Sequence, residues 1–153
     1  MTGDWDATLD DLATRRAAAH AMGGADKLAR RRDTGRLDAR SRIGTLLDDG
    51  SFTEIGALAG AAPADALVAG VGRIDGRPVA VGAEDFTTLG GSIGPAASRK
   101  RWRIADIARR ERIPLVMLLE GAGHRPPMPG DPGAGGPGDL GAQGSLSGLV
   151  PMV

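Results

Sequence analysis

The sequence predicts an α/β domain, a partly parallel sheet covered by helices, and three observations carry that prediction. Asp75-Gly76 separates two apolar runs, residues 66–72 and 78–82. That pair is favoured at a two-residue type I′ turn, where both central positions need φ above zero, so the runs read as a hairpin. Residues 114–119, Pro-Leu-Val-Met-Leu-Leu, form a short, continuously apolar run, as a strand in a covered parallel sheet requires. Between hairpin and run lie a glycine-rich turn and a proline-initiated helical segment. Together they make a strand–helix–strand unit, whose crossover is expected to be right-handed.

Taken in order, the first half is helical. Trp5, Leu9, Leu12 and Ala13 recur at helical spacing, and the segment continues through alanines to Gly23-Gly24. A second helix is expected over residues 25–33. Asp38 is the expected N-cap of a third, with Ile43, Leu46 and Leu47 on one face and Gly50 just past its end. Residues 1–50 are therefore expected to form an N-terminal helical segment, and residues 51–153 an α/β domain. The pattern changes around Phe52, and the Gly and Ala content of the hairpin strands implies close packing by a neighbouring layer. Pro95 suits the first turn of the next helix, where its missing N–H is no loss. That helix is expected to reach about Arg110, with Trp102, Ile104, Ala105, Ile107 and Ala108 available for burial. Beyond Leu119 a Gly/Pro-rich stretch runs to about Gly144 without periodicity, either an active-site loop or a linker. Residues 149–153 resemble a core strand just beginning, so the domain is expected to be incomplete.

Composition narrows the function classes. Apolar residues are 41% of the 153, within the soluble globular range. No apolar run approaches the roughly 20 residues that span a bilayer. The acidic start MTGDWDATLDDL has no signal-peptide core, and the expected compartment is the cytoplasm. Cysteine is absent, which removes disulfides, thiolate metal sites and cysteine nucleophiles together. Basic and acidic side chains balance at 19 each, yet the basic ones cluster in residues 27–42 and 99–112. These clusters are either solvated helix surface or the seat of a bounded anion such as a nucleotide diphosphate. Trp5, Phe52, Phe86 and Trp102 are the only aromatics, too few for a base-stacking platform, so nucleic acid is not the expected partner.

Two glycine turns stand out. Residues 90–94, Gly-Gly-Ser-Ile-Gly, precede a helix N-terminus that could face negative charge. The turn lacks the spacing of a dinucleotide or phosphate-loop fingerprint, and reads equally as a tight strand-to-helix connection. Gly121-Ala122-Gly123 follows the carboxyl end of a strand, where α/β sheets place ligands. Small residues there let a carbonyl approach main-chain donors, as an oxyanion hole requires. Glu84, Asp85 and Glu120 stand near strand ends without metal-ligand spacing and read as loop or cap residues. His20, among helix alanines, reads as structural; His124, in the loop after the strand, is the better candidate for chemistry.

Ordered blocks carry the reading further. Gly23-Gly24, then Gly35-Arg36-Leu37-Asp38-Ala39-Arg40-Ser41-Arg42-Ile43, then Leu46-Leu47-Asp48-Asp49-Gly50-Ser51-Phe52-Thr53-Glu54 resemble the opening of biotin-dependent acyl-CoA carboxylase carboxyltransferase (β) subunits. Those read G-K-L-T-A-R-E-R-I followed by L-L-D-x-G-S-F-x-E. Residues 70–79, 85–94 and 113–116 are similar to the same family's next blocks, so the resemblance spans residues 23–125. The absence of a four-cysteine zinc ribbon sets it nearer the propionyl- and methylcrotonyl-CoA carboxylase type, including sodium-pump decarboxylase relatives, than bacterial acetyl-CoA carboxylase.

The resemblance implies a partial crotonase-like N-terminal domain. It implies transfer of a carboxyl group from carboxybiotin, supplied by a biotin carboxylase/biotin carrier partner, to an acyl-CoA such as propionyl-CoA. A homo-oligomer in the full-length protein, no metal in this chain, and inactivity of these residues alone are further expectations. Family members read D-S-G-G-A-R where this chain has Glu120-Gly121-Ala122-Gly123-His124-Arg125, so the backbone donors for an enolate oxygen fall on Ala122 and Gly123. Pro95 replaces the family's glutamate at the helix start, and Pro126-Pro127-Met128-Pro129 departs from its pattern. Arg36, Arg40, Arg42, Gly90, Gly91, Arg99 and Lys100 are the expected CoA contacts. Two rival readings share the ligand: a crotonase-like acyl-CoA hydratase or hydrolase with Glu120 as base, and a non-catalytic acyl-CoA-binding paralogue.

Overall fold

The computed structural model of the chain describes residues 3–125. Three helices come first: α1 (Gly3–Ala21), α2 (Ala25–Asp33) and α3 (Ala39–Leu46). Asp38 caps α3 as its sequence position requires, accepting from the Ser41 N–H at 2.9 Å and the Ser41 hydroxyl at 2.7 Å. A cap of this kind contributes about 1 kcal/mol. α1 departs from its apolar spacing: Trp5 and Leu9 are 72% and 58% exposed, and burial begins only at Ala19.

The hairpin forms where its turn chemistry sets it. β2 (Leu67–Ile74) and β3 (Arg77–Glu84) pair antiparallel, with Ile74 opposite Arg77, around Asp75 and Gly76 at φ 50° and 75°. The Asp48 carboxylate accepts the N–H groups of both turn residues, at 2.9 and 2.8 Å, tying the hairpin to the end of α3. On one side the short β1 (Thr53–Glu54) pairs with β2. On the other, β4 (Leu115–Leu118) runs parallel to β3 with Val81 opposite Val116. The sheet order is β1-β2-β3-β4, and α4 (Pro95–Glu111) connects β3 to its parallel neighbour.

Strand side chains alternate between faces, and each face has its own core. Val68, Val79, Val81 and Ala83 pack with Met22, Ala39, Ile43 and Leu47. Leu67 and Ala69 pack with Ala97 and Ile104 of α4. The helices before residue 50 thus share a core with the strands after it. On α4, Ile104, Ala105 and Ala108 are buried as expected, but Trp102 is 49% exposed while Lys100, Arg101 and Asp106 are buried. The Gly/Pro-rich stretch from Pro126 onward and the strand expected at residues 149–153 lie outside the described residues. No helix among the described residues is long and apolar enough to cross a membrane.

Candidate functional site

β3 ends on Glu84, and its parallel pairing with β4 sets that carboxylate beside the segment leaving β4. Glu84 is 5% exposed. Its Oε1 accepts from the Arg101 guanidinium on α4, and its Oε2 accepts the N–H groups of both Glu120 and Gly121. Gly121 must lack a side chain, because a Cβ would collide with the Gly91 carbonyl oxygen and stand 2.9 Å from Glu84 Cδ. The Glu120 carboxylate binds Arg31 and, at 3.3 Å, Arg42, with Arg36 3.9 Å away.

Past Gly121 the two glycine turns are laced together. The Ala122 N–H donates to the Gly90 carbonyl at 3.0 Å, the Ile93 N–H to the Gly123 carbonyl at 2.8 Å, and the Arg125 N–H to the Ile93 carbonyl at 3.0 Å. At the far end the Arg125 guanidinium donates to the Ser92 carbonyl at 2.9 Å and to the Asp65 carboxylate. Asp65, fully buried, also accepts the Ala97 N–H in the first turn of α4. Ala64, Asp65 and Ala66 hold φ values of 46°, 47° and 58°, a left-handed stretch that costs residues with a Cβ of order 1 kcal/mol each. The buried Lys100 ammonium holds that stretch by donating to the carbonyls of Ala64 and Leu67. Desolvation pulls the Lys100 pKa down to about 8, against the opposing pull of the Glu54 and Asp65 charges.

Several sequence expectations change here. Ala122 was expected as an oxyanion donor, but its N–H is already bonded to Gly90. Gly123, at φ 94° with open space where a Cβ would stand, has no partner for its N–H among the described residues. Of the expected donor pair, only the Gly123 N–H is left without an acceptor among the described residues. Lys100 and Arg40 were expected at CoA phosphates and are engaged internally instead. Arg40 grips Glu54 through two bonds of 2.8 and 3.1 Å and reaches the Ala19 carbonyl. Lys100 is buried and Arg40 half-buried, and both spend their charge on acceptors within the fold. The α4 N-terminus, which the sequence left open between an anion site and a tight strand-to-helix connection, receives the protein's own Asp65 carboxylate. Gly90 and Gly91, at φ 63° and 66°, turn the chain into the lacing, Gly90 through its carbonyl. Arg36 and Arg99 are exposed, and Arg42 lies half-buried against Glu120. His20 and His124 are both exposed. Among the described residues, no cluster of three or more His, Asp or Glu side chains could hold a metal ion.

Gly23-Gly24 gains a physical reason. The Gly23 N–H donates to Thr87 Oγ1 at 3.0 Å, and a Cβ on Gly23 would strike the Thr87 backbone. Thr87 and Thr88 in turn donate their hydroxyls to the buried Asp85 carboxylate, at 2.5 and 2.6 Å.

A family model described as the carboxyl transferase domain matches residues 30–128. The chain is 34% identical, across 95% of its length, to the propionyl-CoA carboxylase carboxyltransferase subunit of Haloferax mediterranei, of which it spans 30%. It is 32% identical, again across 95%, to the methylmalonyl-CoA carboxyltransferase 12S subunit of Propionibacterium freudenreichii subsp. shermanii, of which it also spans 30%. Among solved structures, transcarboxylase 12S with methylmalonyl-CoA and methylmalonic acid bound matches at a TM-score of 0.75 and 31% identity, covering 82% of this chain and 27% of that one. A single-chain, multi-domain long-chain acyl-CoA carboxylase matches at 0.71 and 37%, covering 83% and 15%. The fold is the crotonase-like one of these carboxyltransferases, and the chain spans about 30% of the length of these two curated relatives.

Proposed function

The chain belongs to the carboxyl transferase domain family, and on that premise we propose that it supplies the acyl-CoA side of a biotin-dependent carboxyltransferase. Carboxybiotin, carried on a partner protein, gives up its carboxyl group. The α-carbon of an acyl-CoA of propionyl-CoA type loses a proton and attacks the carboxyl carbon. One C–H and one N–C bond break, one C–C bond forms, and the proton ends on the biotin nitrogen.

The observation that carries this reading is the Gly123 N–H, beyond the end of β4 and without an acceptor among the described residues, on a segment fixed at both ends. As the α-carbon loses its proton, negative charge grows on the thioester oxygen. A fixed donor at such an oxygen is worth roughly 100- to 1000-fold in kcat. Arg36 and Arg99, the two expected cations whose side chains are exposed, are the ones we assign to the CoA phosphates. The bound methylmalonyl-CoA and hexamer assembly of transcarboxylase 12S support an acyl-CoA substrate and a homo-oligomer. Full-length protein given propionyl-CoA and carboxybiotin is expected to form methylmalonyl-CoA, measured chromatographically. Gly123→Pro deletes the donor and, with φ held at about −65° against the native 94°, also re-aims the segment; it is expected to abolish product while circular dichroism stays parental. Parental turnover in a folded Gly123→Pro variant would remove Gly123 from the site.

A further inference from the structure

Residues 120–125 are pinned at both ends by buried carboxylates, and α4 fixes both of those. At one end Glu84 accepts the Glu120 and Gly121 N–H groups while Arg101 of α4 grips its other oxygen. At the other, Asp65 accepts the Ala97 N–H of α4 and binds Arg125. Gly123 lies between the anchors. The Glu84 anchor is matched on the backbone side as well, because only a glycine at 121 lets the carboxylate approach.

Burying a carboxylate is costly unless its oxygens are bonded, so a Glu here calls for a task that an apolar residue could not do. Removing it would leave two partly buried N–H groups without an acceptor, at the full desolvation cost of each. Bonds from an ionised acceptor are about twice as strong as neutral ones, and two on adjacent peptides fix the orientation of both. We propose that Glu84 is a positioning residue of the acyl-CoA site. It sets the direction of the peptides that lead to Gly123, and Arg101 sets the rotamer of Glu84. This rests on Gly123 as the oxyanion donor. A purely structural role, neutralising Arg101 in the core, would affect melting but not the partition between kcat and KM.

The test uses full-length protein with Glu84→Ala, Glu84→Gln and Arg101→Met. A misplacement of about 1 Å costs on the order of 100-fold, so Glu84→Ala is expected to lower kcat by about 10- to 100-fold. KM for the acyl-CoA should stay within about threefold, since the substrate's remote contacts are untouched. Glu84→Gln keeps one oxygen able to accept both N–H groups and should recover most of the loss. Arg101→Met keeps both bonds but frees the rotamer, and should lower kcat by a smaller factor even if Glu84→Ala fails to fold. Amide hydrogen exchange is read in parallel and should accelerate at Glu120 and Gly121 in Glu84→Ala, more than at Ala122, which stays on Gly90. Parental kcat in Glu84→Ala, or in Arg101→Met where Glu84→Ala does not fold, would overturn the positioning role, as would parental exchange at Glu120 and Gly121. Lack of carboxyl transfer in the parent would instead sink the functional reading, with the exchange arm still judging the clamp.

Discussion

Lys100 shows how much of this site hides from residue spacing. Arg99, Lys100 and Arg101 are adjacent, and successive helix residues point about 100° apart, so three cations in a row cannot share one face. Arg99 is exposed, whereas Lys100 and Arg101 turn inward to acceptors on distant elements, the Ala64 and Leu67 carbonyls and the Glu84 carboxylate. A basic cluster in a sequence marks charge but not the side it faces, which is why Lys100 read as a CoA contact. Its burial has a pH signature. The folded chain holds the ammonium at a pKa of about 8 and the unfolded chain near 10.5, so between those values the unfolded state binds more protons and stability rises with pH. Below about pH 8 both states are protonated and the folded state bears the whole desolvation cost. The difference in melting temperature between the parent and Lys100→Met is therefore expected to shift in the parent's favour from about pH 7 to about pH 10. The chain has no tyrosine or cysteine, and Lys27 is its only other lysine, so few other groups titrate there. A difference that stays flat across this window would mean that Lys100 does not titrate as described.

At the scale of elements, packing around β2 is set by two glycines on one face. A Cβ on Gly70 would strike the Thr53 carbonyl oxygen of β1 and stand 2.8 Å from the Phe52 ring, whereas one on Gly72 meets only the tip of Leu47. Backbone cannot yield without moving β1, while a leucine tip can rotate. Overpacking of this kind costs about 1–3 kcal/mol, and Gly70→Ala is expected to lie at the upper end and Gly72→Ala well below it in denaturant unfolding. The reverse order would show that β1 moves away freely. The elements that matched their sequence signals are those with local causes: Asp38 with Ser41 for α3, Asp75-Gly76 for the hairpin, Pro95 for α4. β1 is two residues long and carries no period. The spacing of Trp5 and Leu9 identifies a helix correctly but says nothing of whether another element covers it. The lacing of residues 90–93 to 122–125 was illegible for a different reason. It depends on the parallel register of β3 with β4, a long-range fact that no local pattern encodes.

For the whole molecule, the change of hydrophobic period near Phe52 suggested a division between helices and sheet, yet a change of period marks a change of element type only. Met22, Ala39, Ile43 and Leu47 have no helical core of their own and are buried against Val68, Val79 and Val81. Asp48 bonds the hairpin turn, and Arg31 and Arg42 bind Glu120, so helices, sheet and the segment of residues 120–125 are joined by packing and by charge. Opening the helical layer should therefore open the strands and loosen the segment around Gly123. Ile43, 2% exposed, is the residue to test, since truncating a buried isoleucine to alanine costs about 2–5 kcal/mol. In full-length protein, Ile43→Ala is expected to raise amide exchange in β2 and β3 together with α3, because all three then open in one cooperative step. Strand amides that kept parental protection while α3 exchanged freely would place the two halves in separate cooperative units. The Arg31 and Arg42 grip on Glu120 would then be a surface attachment rather than part of what holds the proposed acyl-CoA site in shape.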